Sequence, residues 1–250
     1  MRIQFHLALA ITWFIFIFLG LTSSAQDADS SKLSISYLEG TVRVQMPESE
    51  GWLAASDSIT LDFGEKLQAS KSSIAELKID LRLALRLDQN SIIGAINDLD
   101  SSTGINNICN LLQGDFWINS KIKTGYIGLI CALKSGQLSF VAIPDSFPAI
   151  ARYCVATDST VEARAYRGSL AIVFERNPTD GDSVNTKYFV YQAEKSNLAP
   201  PFPNTIMLDS GEKILIASSG KIVYLGAFST EDIDENTDWV KWNKDRDLKQ

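Results

Sequence analysis

The chain has 250 residues, 45% of them hydrophobic, and 23 Lys and Arg stand against 30 Asp and Glu for a formal net charge of −7. That apolar content is ordinary for a globular protein and too high for a disordered one. The acidic balance repels phosphate backbones, so nucleic acid is excluded as an expected partner.

Arg2 supplies a short positive region, and Leu7 to Leu21 is an apolar run broken only by Thr12 and Gly20. Ser23-Ser24-Ala25 then offers the small residues that a signal peptidase reads. A spanning helix needs about 20 apolar residues, so this run is short for a permanent anchor. Residues 1–25 therefore read as a signal peptide and 26–32 as a linker. An uncleaved signal-anchor in the inner membrane is the alternative. No cysteine lies near the cleavage site, which speaks against a lipoprotein. The expected location is periplasmic or secreted, with membrane contact only through residues 1–25 if they are retained.

The sole histidine of the chain is His6, inside that segment. Cleavage would remove it and, with Arg2, take the formal charge to −8. Without imidazole there is no Ser-His-Asp triad, no Cys-His pair and no His-ligated zinc. The expectation is a protein that is not an enzyme, with no catalytic residue, no cofactor and no metal.

The mature region reads as strands. Leu33, Ile35 and Tyr37 alternate with polar residues, the phase flips across Glu39-Gly40, and Val42, Val44 and Met46 continue it. A glycine at such a slip is what a bulge or tight bend requires. From Leu77 to Leu87 every odd position is apolar, a period of two, which outranks the helix propensity of Leu, Ala, Lys and Arg and predicts extended chain. Further strands are predicted at Leu111–Ile122, Tyr126–Leu133, Leu138–Ile143, Ile150–Ala156, Thr160–Tyr166 and Ser169–Phe174, then at Tyr188–Ala193, Thr205–Leu208, Lys213–Ala217 and Lys221–Leu225. The phase flip at Arg167-Gly168 suits a hairpin. Asn97–Asn107, Asn177–Thr186 and Ser196–Asn204 read as loops. Many short strands without helical patterns between them predict an all-β, antiparallel sandwich or jelly-roll-like domain over residues 33–226.

Leu61-Asp62-Phe63-Gly64-Glu65-Lys66-Leu67 recurs as Leu208-Asp209-Ser210-Gly211-Glu212-Lys213-Ile214. Each copy lies at a turn entering a strand, so a reused connection is expected, with chance the alternative. Residues 227–250 form a polar tail with a short C-terminal helix. Trp239, Trp242 and Arg246 fall at i, i+3 and i+7 on one helical face, and Ser229 or Thr230 followed by Glu231-Asp232 offers its start. That face either docks two tryptophans on the domain or presents an aromatic platform to a partner; the usual burial of large aromatics favours docking. Cys109, Cys131 and Cys154 are an odd count. One disulfide is open to them in an oxidising compartment, but their apolar neighbours favour three small buried side chains.

The order of several segments resembles the FecR-like domain family of bacterial envelope proteins. They are Tyr37 to Val44, Gly51-Trp52-Leu53-Ala54-Ala55, Leu61 to Leu67, Ala75-Glu76-Leu77-Lys78-Ile79, Leu85 to Ser91, Leu112-Gln113-Gly114-Asp115, Val161 to Val173 around Gly168, and the ending Trp239 to Asp247 with its Trp-x-x-Trp and Arg-Asp. The resemblance spans most of residues 33–247 and implies an extracytoplasmic β-domain. Two departures stand out. The family's glycine turn between the Glu-Leu and Arg-Leu strands is Asp80-Leu81 here, which allows one long strand, and the glycine-threonine step is absent around Arg152-Tyr153-Cys154. The short stretch before the apolar run carries no anti-sigma segment, so the domain is expected without it.

The spacing of other candidate groups matches no known site. Asp98, Asp100 and Ser102, and again Asp232, Asp234 and Asn236, alternate like calcium-loop ligands. Thr103 and Thr237 stand where an EF-hand needs glycine, and Cys109 and Asn243 where it needs glutamate. A carboxylate pair for glycoside hydrolysis is imaginable among so many acids, and none is singled out. Gly125-Tyr126-Ile127-Gly128 lacks the rest of a nucleotide fingerprint. Two readings survive. One is an envelope domain for protein interaction or signal sensing, binding an envelope protein through sheet edges or loops, with self-association open to it. The other is a carbohydrate-binding, lectin-like domain using loop aromatics such as Trp52 and Phe202, although Trp52 is expected in the core. The sequence singles out no binding residue.

Overall fold

The computed structural model describes residues 32–79, 82–101, 104–123, 125–143, 148–175, 204–229 and 231–249. Outside them lie the expected signal peptide at 1–25, the linker except Lys32, Asp80-Leu81, Ser102 and Thr103, and the expected loop Asn177–Thr186. The strand Tyr188–Ala193, Phe202 and the rest of the Ser196–Asn204 loop up to residue 203 also fall there.

The strands in chain order are β1 (Leu33–Glu39), β2 (Val42–Gln45), β3 (Leu53–Ala54), β4 (Thr60–Leu61), β5 (Lys66–Ala69), β6 (Ile74–Ile79), β7 (Leu83–Leu87), β8 (Ser91–Asp100), β9 (Ile105–Ser120), β10 (Tyr126–Leu133), β11 (Gly136–Ala142), β12 (Ala149–Val155), β13 (Val161–Arg167), β14 (Leu170–Phe174), β15 (Thr205–Leu208), β16 (Glu212–Ile216) and β17 (Ile222–Ala227). A 3-10 turn over Ile233–Asn236 and helix α1 (Asp238–Asp247) follow. No helix among the described residues is long and apolar enough to cross a membrane.

Pairing divides the strands into two ladders. The first runs β4-β1-β6-β7-β9-β12-β13-β16-β17. The second runs β3-β2-β5-β8-β9-β10-β11-β14-β15. Every pair is antiparallel except β9 with β10. Strand β9 belongs to both ladders: Ile105 to Gln113 pairs in the second sheet, and Gly114 to Ser120 in the first. The crossing is at Gly114, whose φ is +119° and whose Cβ, if it had one, would lie 2.5 Å from the Ser91 Cα. Only glycine permits both the backbone angle and that approach.

The inner faces of the two ladders meet in one apolar core. Leu77, Leu85, Ile118, Ala163 and Ile214 contribute from the first sheet, and Val44, Leu67, Ile93, Phe140 and Ile172 from the second. Each Leu or Ile buried in this way gains about 1.5–3 kcal/mol over its exposed state. The expected all-β sandwich with a short C-terminal helix is thus the observed architecture. Cys109 and Cys131 are buried and Cys154 half-buried, and all three are free thiols. Burial pushes the Cys131 thiol up to about 12 and, with the charge of Asp115, Cys154 up to about 11.

The repeated heptapeptide does build one turn twice. The Asp62 N–H donates to Glu65 Oε2 at 2.9 Å and the Asp209 N–H to Glu212 Oε2 at 3.0 Å. Gly64 and Gly211 share a φ of +87°.

Several sequence expectations need correction. Leu77–Leu87 is two strands: Ile79 pairs with Leu83 and Leu77 with Leu85, so β6 and β7 form the hairpin that the family pattern implied. A connection of three residues keeps directly opposed positions in the same parity, so the alternation runs on unbroken through the turn. Conversely, Arg167-Gly168 is no hairpin. β13 pairs with β12 and β16, whereas β14 pairs with β11 and β15. The chain crosses there between sheets, and the phase flips because the core changes side. Glu39-Gly40 is the same kind of corner. The loop expected at Asn97–Asn107 is largely a ladder, with Asp98 opposite Asn107 and Asp100 opposite Ile105. Asn97, Asp98 and Leu99 are exposed in it, so it carries no core pattern. Tyr37 leaves the face of Leu33 and Ile35 because the register shifts between Ile35 and Tyr37. Trp52 is half-buried and not a core residue. Finally, the helix begins at Asp238, with Thr237 Oγ1 accepting from the Val240 N–H at 3.3 Å.

Candidate functional site

Side chains alternate between the faces of a strand, so the residues between the core positions of the first sheet form its outer face. One row crosses six strands there. Glu76 opposes Arg86, Arg86 opposes Trp117, Trp117 opposes Arg152, Arg152 opposes Arg164, and Arg164 opposes Lys213. A row with Arg152 directly opposite Arg164 is unfavourable unless acids intervene.

The chain from Asp232 to Asp247 supplies most of those acids. Lys213 Nζ lies 3.3 Å from Asp232 Oδ2. Arg164 bonds Asp234 Oδ2 at 3.1 Å and Glu235 Oε1 at 2.7 Å, and Tyr166 donates to the same Glu235 oxygen at 2.5 Å. Arg86 Nη1 meets Asp247 Oδ1 at 2.7 Å, and the Trp117 indole donates to Asp247 Oδ2 at 2.8 Å. At the far end the polarity reverses. Glu76 is the anion, held by Arg86 Nε and Arg246 Nε at 2.8 Å each and by Ser36 Oγ at 2.9 Å. This explains why helix α1 starts late. Residues 232–235 are held on the sheet by Lys213 and Arg164 in a 3-10 turn, and the α-helix begins only beyond it.

Electrostatics follow from this geometry. Burial alone would raise the Glu76 carboxyl, but hydrogen bonds from Arg246, Arg86 and Ser36 bring it down to about 2. Burial acts the same way on Glu235, and hydrogen bonds from Tyr166, Arg164 and Lys244 hold it below the usual carboxylate range. The Tyr166 hydroxyl is raised by its own burial and by that bond to Glu235.

Between the start of α1 and the β5–β6 and β7–β8 connections lies a cleft of about 770 Å³. Arg152 lines it, grasping Asp115 through Nε and Nη2, and the Trp239 indole donates to Asp115 Oδ1 at 3.2 Å. Asp88, Gln89, Ser72, Glu39 and Asp238 line it too. Burial pushes the Asp88 carboxyl up to about 6, against the Gln89 N–H, which lowers it; the charge of Asp115 raises it further and that of Arg152 opposes this.

The two tryptophans of the tail are docked, as favoured from their spacing. Trp239 is 7% exposed and packs with Val240 on Trp117. Trp242 stacks on Trp239 at 5.7 Å, with Arg246 5.1 Å over its ring. Asp232 and Asp234, spaced like calcium ligands, are spent on Lys213 and Arg164. Among the described residues no three His, Cys, Asp or Glu side chains converge to hold a metal. Sequence reasoning named no binding residue. The outer-face charges at even positions of β6 and β7 are indistinguishable in sequence from a solvated face.

The fold and site together define a two-sheet antiparallel sandwich whose outer face is strapped by a charged C-terminal segment. No family of known sequences matches the chain, and no curated protein matches it. Among solved structures it is similar to two crystal structures, at 1.65 and 2.50 Å, of a putative anti-sigma factor from Parabacteroides distasonis ATCC 8503. Each is 9% identical with a TM-score of 0.42 over 68% of this chain. The chain spans 62% of the length of those structures.

Proposed function

We propose that the chain is a non-enzymatic, extracytoplasmic FecR-like domain that acts in envelope protein interaction or signal sensing. One convergence carries the reading. The segments whose order resembles the family are far apart in sequence, yet Glu76, Arg86, Asp115, Trp239, Trp242, Arg246 and Asp247 meet on one face as a single bonded network. Motifs that build one structure together are better explained by shared ancestry of the domain than by independent turn glycines. The export reading rests on residues 1–25.

The test uses the tagged full chain, made in its source cells and extracted with mild detergent. N-terminal mass analysis is expected to find Gln26 first, and Met1 would place the domain on a retained anchor. Affinity capture is expected to recover one envelope protein in near-equal amount. A well-folded chain that retains no protein would sink the interaction reading.

A further inference from the structure

We propose that the cleft beside α1 receives the basic side chain of a lysine or arginine from a polypeptide partner. The inference rests on the reading of this chain as a protein-interaction domain and names the chemistry of its partner. Its volume of about 770 Å³ is within the ordinary range for ligand sites, roughly 300–1,000 Å³. Glu39, Asp88, Asp115 and Asp238 give four carboxylates against one guanidinium, Arg152. That guanidinium is already committed to Asp115, with its Nη1 on the Asp234 carbonyl at 3.3 Å. Asp88 is different. It is half-buried in the lining, and no ion pair reaches it among the described residues. Withdrawing a carboxylate from water is costly, and that burial, with the charge of Asp115 and against the Gln89 N–H and Arg152, pushes its titration point up to about 6.

The group that would complete the site is therefore a cation. A metal ion finds too few ligands, since among the described residues no three of these acids converge closely enough to hold one. A sugar would need an open aromatic face, and Trp242 is stacked on Trp239 with Arg246 over its ring. An ammonium or guanidinium needs only the carboxylates.

The full chain is titrated with acetyl-Gly-Arg-Gly-amide at pH 7.5 while the indole N–H resonances are followed by NMR. The expected result is a saturable shift of the Trp239 signal. The citrulline tripeptide is expected to give none. Asp88→Asn, which removes only the desolvated charge, is expected to weaken binding at least about ten-fold. Wild type at pH 5 should also weaken about ten-fold, because only about a tenth of Asp88 is then ionised and apparent affinity scales with that fraction. No saturable shift, an equal response to the citrulline peptide, or full affinity in Asp88→Asn overturns the proposal. A saturable response to spermidine with none to the tripeptide overturns the polypeptide source. In the capture experiment, a partner retained equally by wild type and Asp88→Asn removes the cleft alone. Failure of wild type to retain any partner removes the interaction reading itself.

Discussion

Glu76 and Leu77 are neighbours in β6, both with 0% of their surface exposed. They point to opposite faces of one sheet and into two different kinds of interior. Leu77 lies among aliphatic side chains of the second sheet, where contact is non-directional and any side chain of similar volume serves. Glu76 lies under α1, where three donors converge on two oxygens. There geometry is specific and each partner depends on the others. One sheet thus carries an interior built on area and another built on charge, and they should fail differently.

The sharpest way to separate them is Glu76→Gln beside Leu77→Ala. Removing the Glu76 charge takes from Arg86, itself 0% exposed, and from Arg246 the carboxylate they share, and leaves Asp247 as the remaining acid on Arg86. Losing one partner of such a pair costs about 3–5 kcal/mol. Leu77→Ala loses transfer energy and leaves a cavity, about 2–5 kcal/mol. Chemical denaturation measures both. Equal effects on the environment of Trp239 in the two variants would collapse the distinction, since only Glu76→Gln should loosen α1 before global unfolding.

Acid comes next in size. The Glu76 carboxyl titrates near 4.5 when unfolded and at about 2 when folded. Its contribution is fully present above pH 4.5 and is lost as pH falls through about 2, roughly 3 kcal/mol in all. Glu235 acts in the same direction. Stability measured between pH 5 and pH 2 should fall in wild type and fall less in Glu76→Gln. Asp88 has the opposite sign. Its folded value of about 6 lies above the unfolded 3.8, so its contribution is present below pH 3.8 and is lost as pH rises through about 6. Asp88→Asn should flatten the profile between pH 4 and pH 6 and stabilise the protein at pH 7. The smallest effect is Thr237→Ala, which removes the hydroxyl that accepts from Val240. A lost helix cap costs about 1 kcal/mol, read as a modest drop in thermal midpoint.

The area-built interior was legible in the sequence and the charge-built one was not. Alternation at Leu77, Ile79, Leu83, Leu85 and Leu87 announces a buried face, because burial of a strand imposes period two whatever covers it. The same alternation could not separate a long strand from a hairpin, since Ile79 and Leu83 keep their parity across the turn. Nor could a phase flip separate a hairpin from a corner, as Arg167-Gly168 shows. The charged face depends on pairs such as Glu76 with Arg246 and Arg164 with Glu235, which are 170 and 71 residues apart. No local pattern encodes a partner at that distance. The tail leaves one trace, the spacing of Trp239, Trp242 and Arg246, because a docked helix must keep its large aromatics on one face.

Strand β9 adds a consequence for how the molecule comes apart. Its first half completes the ladder of one sheet and its second half that of the other. Neither sheet can peel away while the other stays whole, because each would have to take half of the same strand with it. The two layers are therefore expected to open as one cooperative unit, with the amides on either side of Gly114 among the slowest to exchange with solvent deuterium. A proteolytic cut or a proline inserted at that crossing would disable both sheets at once.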